Sequence, residues 1–302
     1  TRVCQKEDYS KGGRPPIDVI VKFKASMLKR IYNLSYDQTE YQINDRLSFM
    51  RFLGLGLNDK VIDAKTIWDF ENTLANAEMG EKLFCMFDAV LENEGLITHK
   101  GTIVDATFVE APKQRNNRDE NKKIKNGDIP EEWQKPENAH KLAQKDTDAR
   151  WTKKNNEIHY GYKNHVKCDA DSKLITNYAV TDASLHDSNR CIDFLDEKDE
   201  ALYADSAYSG SSIAEQLPGN CENHICEKGY RGHPLTEKQK ENNRKKSKVR
   251  CRIEHIFGFM TRAMHGITIR NIGITRAWYN IGLTNLIYNF CRYEFLKRKS
   301  TC

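Results

Sequence analysis

A chain of 302 residues is long enough for one large domain or two ordinary ones. It is 38% hydrophobic and 30% charged, which excludes a disordered chain, and no apolar run is long enough to span a bilayer. The formal net charge of +5 hides an asymmetry: from Glu227 onward there are seventeen Lys or Arg against five Asp or Glu, leaving residues 1–226 net negative. Such a basic part predicts a polyanionic partner, with nucleic acid the first candidate.

Residues 1–15 are polar and lead into Gly12-Gly13-Arg14-Pro15-Pro16, an arm or linker. Ile20, Phe23, Met27, Ile31 and Leu34 then mark one face of a helix. Ser35 and Asp37 cap a second helix that runs through Met50, Asp63 opens a third, and Gly80 to Glu94 supplies a fourth. Residues 16–97 are therefore expected to form a small all-helical, DNA-binding module, although no recognition helix stands out.

The pattern changes at Gly101, where Thr-Ile-Val-Asp-Ala-Thr-Phe-Val has the β-branched density of a strand. Residues 112–156 are polar and read as a long, partly mobile excursion. Strands are predicted from His159 to Cys168 and back from Lys173 to Thr181. Short units follow: a helix over 187–195, a strand ending at Asp205, a helix over 211–217 and a strand from Asn223. A long basic helix is predicted from Thr236 to His265, then an apolar helix from Ala277 to Lys297. That order implies an α/β catalytic domain over 98–265 with a mixed sheet and covering helices, and a C-terminal segment, 266–302, packed on it.

Nine scattered cysteines contain no Cys-x-x-Cys pair, and Cys221, His224 and Cys226 lack a second half at zinc spacing. They read as reduced thiols of an intracellular protein. The acids are more informative. Asp105 sits inside an apolar strand, Asp205 ends one, and Glu254 lies between Ile253 and Ile256 on a helix. An acid in an apolar strand is costly unless it is paired or holds a metal. Hard ions such as Mg²⁺ or Mn²⁺ take a few carboxylates each, and a pair of them suits phosphodiester chemistry.

Several segments carry a resemblance: Val104-Asp105-Ala-Thr-Phe-Val-Glu, Tyr160-Gly-Tyr-Lys-Asn-His165, Tyr203-Ala-Asp205-Ser-Ala-Tyr208 and Arg250-Cys-Arg-Ile-Glu254. In this order, and with Gly13-Arg-Pro-Pro and Leu47-Ser-Phe-Met-Arg-Phe-Leu before them, they resemble the DDE transposases of bacterial insertion sequences. The likeness is to the superfamily with a Tyr-Arg-Glu-Lys signature, in its insertion-sequence-five-like branch. The resemblance implies a ribonuclease-H-like fold, two Mg²⁺ or Mn²⁺ ions on Asp105, Asp205 and Glu254, and cleavage at terminal inverted repeats. It also implies transfer of 3′-hydroxyl ends to target DNA, a homodimer, and a cytoplasmic, nucleoid-associated protein. Ser247 and Thr261 stand where that signature has Tyr and Lys, with Arg262 adjacent as a substitute cation.

Arg250 is one helical turn before Glu254, close enough to pair with it or reach a phosphate. Lys163 and His165 share one strand face and are candidate DNA contacts. Arg244, Lys245, Lys246, Lys248, Arg250 and Arg252 form a candidate backbone-binding patch. The competing readings are a metal-dependent nuclease of the same fold without strand transfer, and a domesticated DNA-binding protein.

Overall fold

In the computed structural model, which describes residues 17–154, 156–187, 192–209 and 216–301, the helices begin where capping side chains stand. Asp18 accepts from the Ile20 N–H at 2.6 Å and starts α1 (Val19–Ile31). Ser35 and Gln38 form a capping box for α2 (Tyr36–Asp45). Asp63 caps α4 (Ala64–Asn76), and α5 (Met79–Asn93) follows. The predicted second helix is in fact two. Arg46 takes an extended backbone (φ −107°, ψ 111°) and separates α2 from α3 (Leu47–Leu53). Its guanidinium lies over the Tyr32 and Phe49 rings. Ala25, Leu28, Ile43, Phe49 and Ile67 form a core belonging to these helices. Phe70, Leu74 and Phe84, by contrast, join the main core with the sheet, so α4 and α5 pack as part of the larger body.

At the centre of the sheet is β1 (Thr102–Glu110), antiparallel to β3 (Glu157–Asp169) from Thr102↔Asp169 to Glu110↔Gly161. On the far edge of β3 lie β4 (Ile175–Asp182) and, end to end with it, β2 (Arg150–Lys154). On the other side of β1 come β5 (Ala201–Tyr203) and β6 (Glu222–Asn223), both parallel to it. The sheet is mixed, as expected. Gly161 (φ +144°) is required where β1 and β3 meet most closely, because a Cβ there would strike the Val109 carbonyl and the Ala111 nitrogen.

The polar excursion proves to be structured. It contains α6 (Arg118–Lys125), α7 (Glu131–Gln134), α8 (Ala139–Leu142) and the unpredicted β2. Trp133 is fully buried and its indole N–H donates to Glu120 at 2.9 Å, while Lys141 and Lys145 lie over its ring. One tryptophan with Ile124 gives this segment a centre that its mean composition conceals.

The predicted long basic helix is also two, α9 (Glu237–Arg250) and α10 (Arg252–Arg262), separated at Cys251. The final α11 (Ile274–Thr301) lies against β4, α5, α4 and α1. Its polar residues replace missing sheet partners. Asn289 bonds both the N–H and the carbonyl of Ile175, and Asn285 pairs reciprocally with Asn164. Gly282 allows the close approach, since a Cβ there would meet the Tyr178 hydroxyl. The predicted helix over 211–217 falls largely outside the described residues, as do 188–191 of the one over 187–195, of which 192–194 is a single 3₁₀ turn.

Candidate active site

The sheet register brings two of the acids together. Thr102 pairs with Leu202 and Ile103 with Tyr203, in parallel. Asp205 lies two residues past the end of β5; continued that far, the register would set it level with Asp105 and on the same face, and its charge is felt at Asp105. Asp205 keeps an extended backbone (φ −71°, ψ 163°) and caps the next turn through a bond from the Ser206 N–H. Asp105 pairs across β1 with Val166, so both face the core that includes Ile253, Ile256 and Met260 of α10.

That buried stripe of α10 fixes where Glu254 points. Ile253 turns inward, and Glu254, its neighbour, lies at the margin with 63% of its side chain exposed. Arg250, the last residue of α9, connects the acids. One guanidinium nitrogen is 3.2 Å from Asp105 Oδ2 and the other 3.4 Å from Glu254 Oε1. The break at Cys251 leaves the four-residue pairing intact.

Burial pushes the Asp105 carboxyl above its ordinary value. The Ala106 N–H, Arg250 and Lys154 pull it down, while the Asp205 charge pushes it up again. Burial thus outweighs the two cations beside this carboxyl. These two carboxylates and a third across a guanidinium are hard oxygen donors, the kind that suits divalent cations. The donor set fits such ions in chemistry. Among the described residues no three of His, Cys, Asp or Glu already enclose a metal position, since Arg250 stands between Asp105 and Glu254.

Lys163 and His165 are not brought to the acids. They alternate with Asn164 and Val166 and so point to the opposite sheet face, where both are buried. Lys163 pairs with Asp187 at 2.8 Å, and His165 bonds the Thr181 hydroxyl at 2.8 Å. Expected as candidate DNA contacts, both are instead enclosed on that face. Asp187, at the start of the helix expected over 187–195, is the partner of Lys163. Despite burial working the other way, that pairing holds its carboxyl below the ordinary value.

The basic patch is split in use. Lys246 donates to the Ile225 carbonyl, and Arg252 to the Ala170 carbonyl and Asp171, so both fasten helices to the sheet. Arg244, Lys245 and Lys248 are exposed. Ser247 faces the Cys226 thiol, and the Thr261 hydroxyl bonds back into its own helix. Arg262 is exposed two turns beyond Glu254, about 12 Å along the axis. Cys221, His224 and Cys226 do not gather as ligands: His224 bonds Glu222 and stacks on Tyr203. Lys154 was missed as an influence on Asp105 because it lies in the stretch read as an excursion.

Comparison with known families agrees with this geometry. Residues 97–290 match the family described as Transposase DDE domain, and residues 5–73 match Transposase domain (DUF772). The chain belongs to the DDE transposases. It is therefore an enzyme of a kind typical of bacterial insertion sequences, whose substrate is DNA and whose members generally use divalent metal ions. No solved structure matches this transposase. Among the described residues, no helix is long and apolar enough to cross a membrane.

Proposed function

We propose that this transposase cleaves DNA at terminal inverted repeats and joins the freed 3′-hydroxyl ends to target DNA, with Asp105, Asp205 and Glu254 as the catalytic acids. The observation that carries the reading is the parallel register of β1 and β5, which delivers Asp105 and, just past the end of β5, Asp205 toward one place, with Arg250 linking Asp105 to Glu254. The sheet order β4-β3-β1-β5-β6, antiparallel then parallel, supports a ribonuclease-H-like domain over residues 98–265. The helical module of 16–97 and the segment 266–302 complete the proposed division.

Asp105 and Asp205 would hold Mg²⁺ or Mn²⁺, with Glu254 completing the set. Two such ions supply stabilisation of the attacking and leaving oxygens of an in-line displacement. The chain's own residues do the rest. Water attacks in the first cut and the 3′-hydroxyl in the second, with no covalent protein intermediate. Arg250 offers a guanidinium to a phosphate oxygen next to the acids. Arg244, Lys245 and Lys248 hold the DNA backbone without regard to sequence. Two ends must be brought together, which favours a homodimer in the cytoplasm, associated with the nucleoid.

Asp205→Asn is the direct test. It should abolish Mg²⁺-dependent nicking of DNA carrying the repeats, and cleavage at the full rate would sink the mechanism. A wild-type enzyme that nicks these ends yet never joins them to target is instead a nuclease.

A further inference from the structure

The folded excursion forms one wall of a groove of about 720 Å³, whose other wall is β2 and the start of β3. Arg118, Lys122 and Lys125 line it from one stripe of α6, and Arg150 and Trp151 from β2. Asp119 is the only carboxylate among these lining residues. Among the described residues, none of Arg118, Lys122 and Lys125 pairs with an acid.

The wall is firmly built. Asn117 and Glu120 form a capping box at the start of α6, Glu120 also holds the Trp133 indole, and Ile124 is buried. Within the groove Trp151 rests on Tyr160 with ring centroids 4.7 Å apart, and it remains 40% exposed. The register pairs Trp151 with Tyr160, and Tyr160 lies on the same sheet face as Val166 and hence as Asp105. Tyr160 to Val166 spans about 20 Å of strand, or about six base pairs of B-form DNA.

Cations spaced along a channel with an exposed aromatic face suit an unstacked nucleotide: phosphates on the charges, base on the ring. We propose that this groove binds a short single-stranded stretch of the DNA on which the acids act, with Trp151 stacking a base and Arg118, Lys122, Lys125 and Arg150 holding its phosphates. This rests on the reading of the chain as acting on DNA at the acid site.

The test compares two labelled probes by fluorescence anisotropy: a blunt duplex of arbitrary sequence, and the same duplex with a short oligothymidine flap. Wild type should favour the flapped probe. Trp151→Ala should weaken flap binding by roughly tenfold while leaving the blunt duplex within about twofold, and Trp151→Phe should recover part of the loss. An unchanged melting temperature excludes misfolding. The pair Arg118→Gln with Lys122→Gln, both exposed and outside the core, gives a second route. It should lower the salt slope for the flapped probe by about one to two. Equal losses on both probes, or none in either variant, overturn the proposal. Wild type that binds neither probe overturns the DNA reading itself, a different result from wild type that binds both with Trp151→Ala unaffected.

Discussion

Asp105 is held at a cost. A carboxyl raised above its ordinary value keeps its proton more tightly in the folded state than in the unfolded chain. Its ionised form therefore lowers stability once the pH has risen above the ordinary carboxylate range. Asp105→Asn should raise the melting temperature at neutral pH while removing DNA cleavage; a clear drop in calorimetry would contradict that balance. Asp88 makes the same point away from the acids. Burial, with Glu92 adding and Lys167 opposing, lifts it from 3.8 to about 6. Stability should fall between about pH 4 and about pH 6 as this group ionises, and Asp88→Asn should flatten that part of the profile. What was legible here followed cost: an acid in a β-branched strand stands out, and so does an Arg four residues before a Glu. Lys163 and His165 show the limit. Alternation says that they share a face, but not which face the rest of the chain will cover.

Among the elements, α11 was legible as an apolar helix, but the purpose of its polar stripe was not. Asn289 satisfies both backbone groups of Ile175, which no single sequence window reveals. Asn289→Leu leaves a buried N–H and carbonyl unpaired and should cost about 2–4 kcal/mol in denaturant melts. Gly282→Ala presses on the Tyr178 hydroxyl and should cost about 1–3 kcal/mol. Combining it with Tyr178→Phe should return part of that loss; strict additivity would show that the hydroxyl is not the obstacle. The two helices that split, at Arg46 and Cys251, were read as continuous because their periodic patterns run through the breaks. Likewise β2 was hidden because a short polar edge strand carries little apolar signal.

For the whole molecule, the charge asymmetry predicted a nucleic-acid partner, and membership of the DDE transposases agrees. The structure divides the labour within that charge. Arg244→Gln and Lys248→Gln should each reduce the salt slope of DNA binding by about one, across all sequences. Lys246→Gln should leave that slope alone and lower the melting temperature, because its ammonium is tied to the Ile225 carbonyl. The reverse pattern would mean that the anchoring seen at Lys246 gives way when DNA binds.

Because α11 supplies the partners of β4 and closes the main core, the order of synthesis matters. As the chain leaves the ribosome, β1 to β6 emerge well before the helix that covers them, and until residue 289 is out Ile175 has no side chain to meet its backbone. The sheet must wait in a partly open form until α11 has been made. A nascent transposase thus lacks the cover of its sheet until α11 has emerged, and a message cut short before α11 yields a chain suited to proteolysis rather than to cutting DNA.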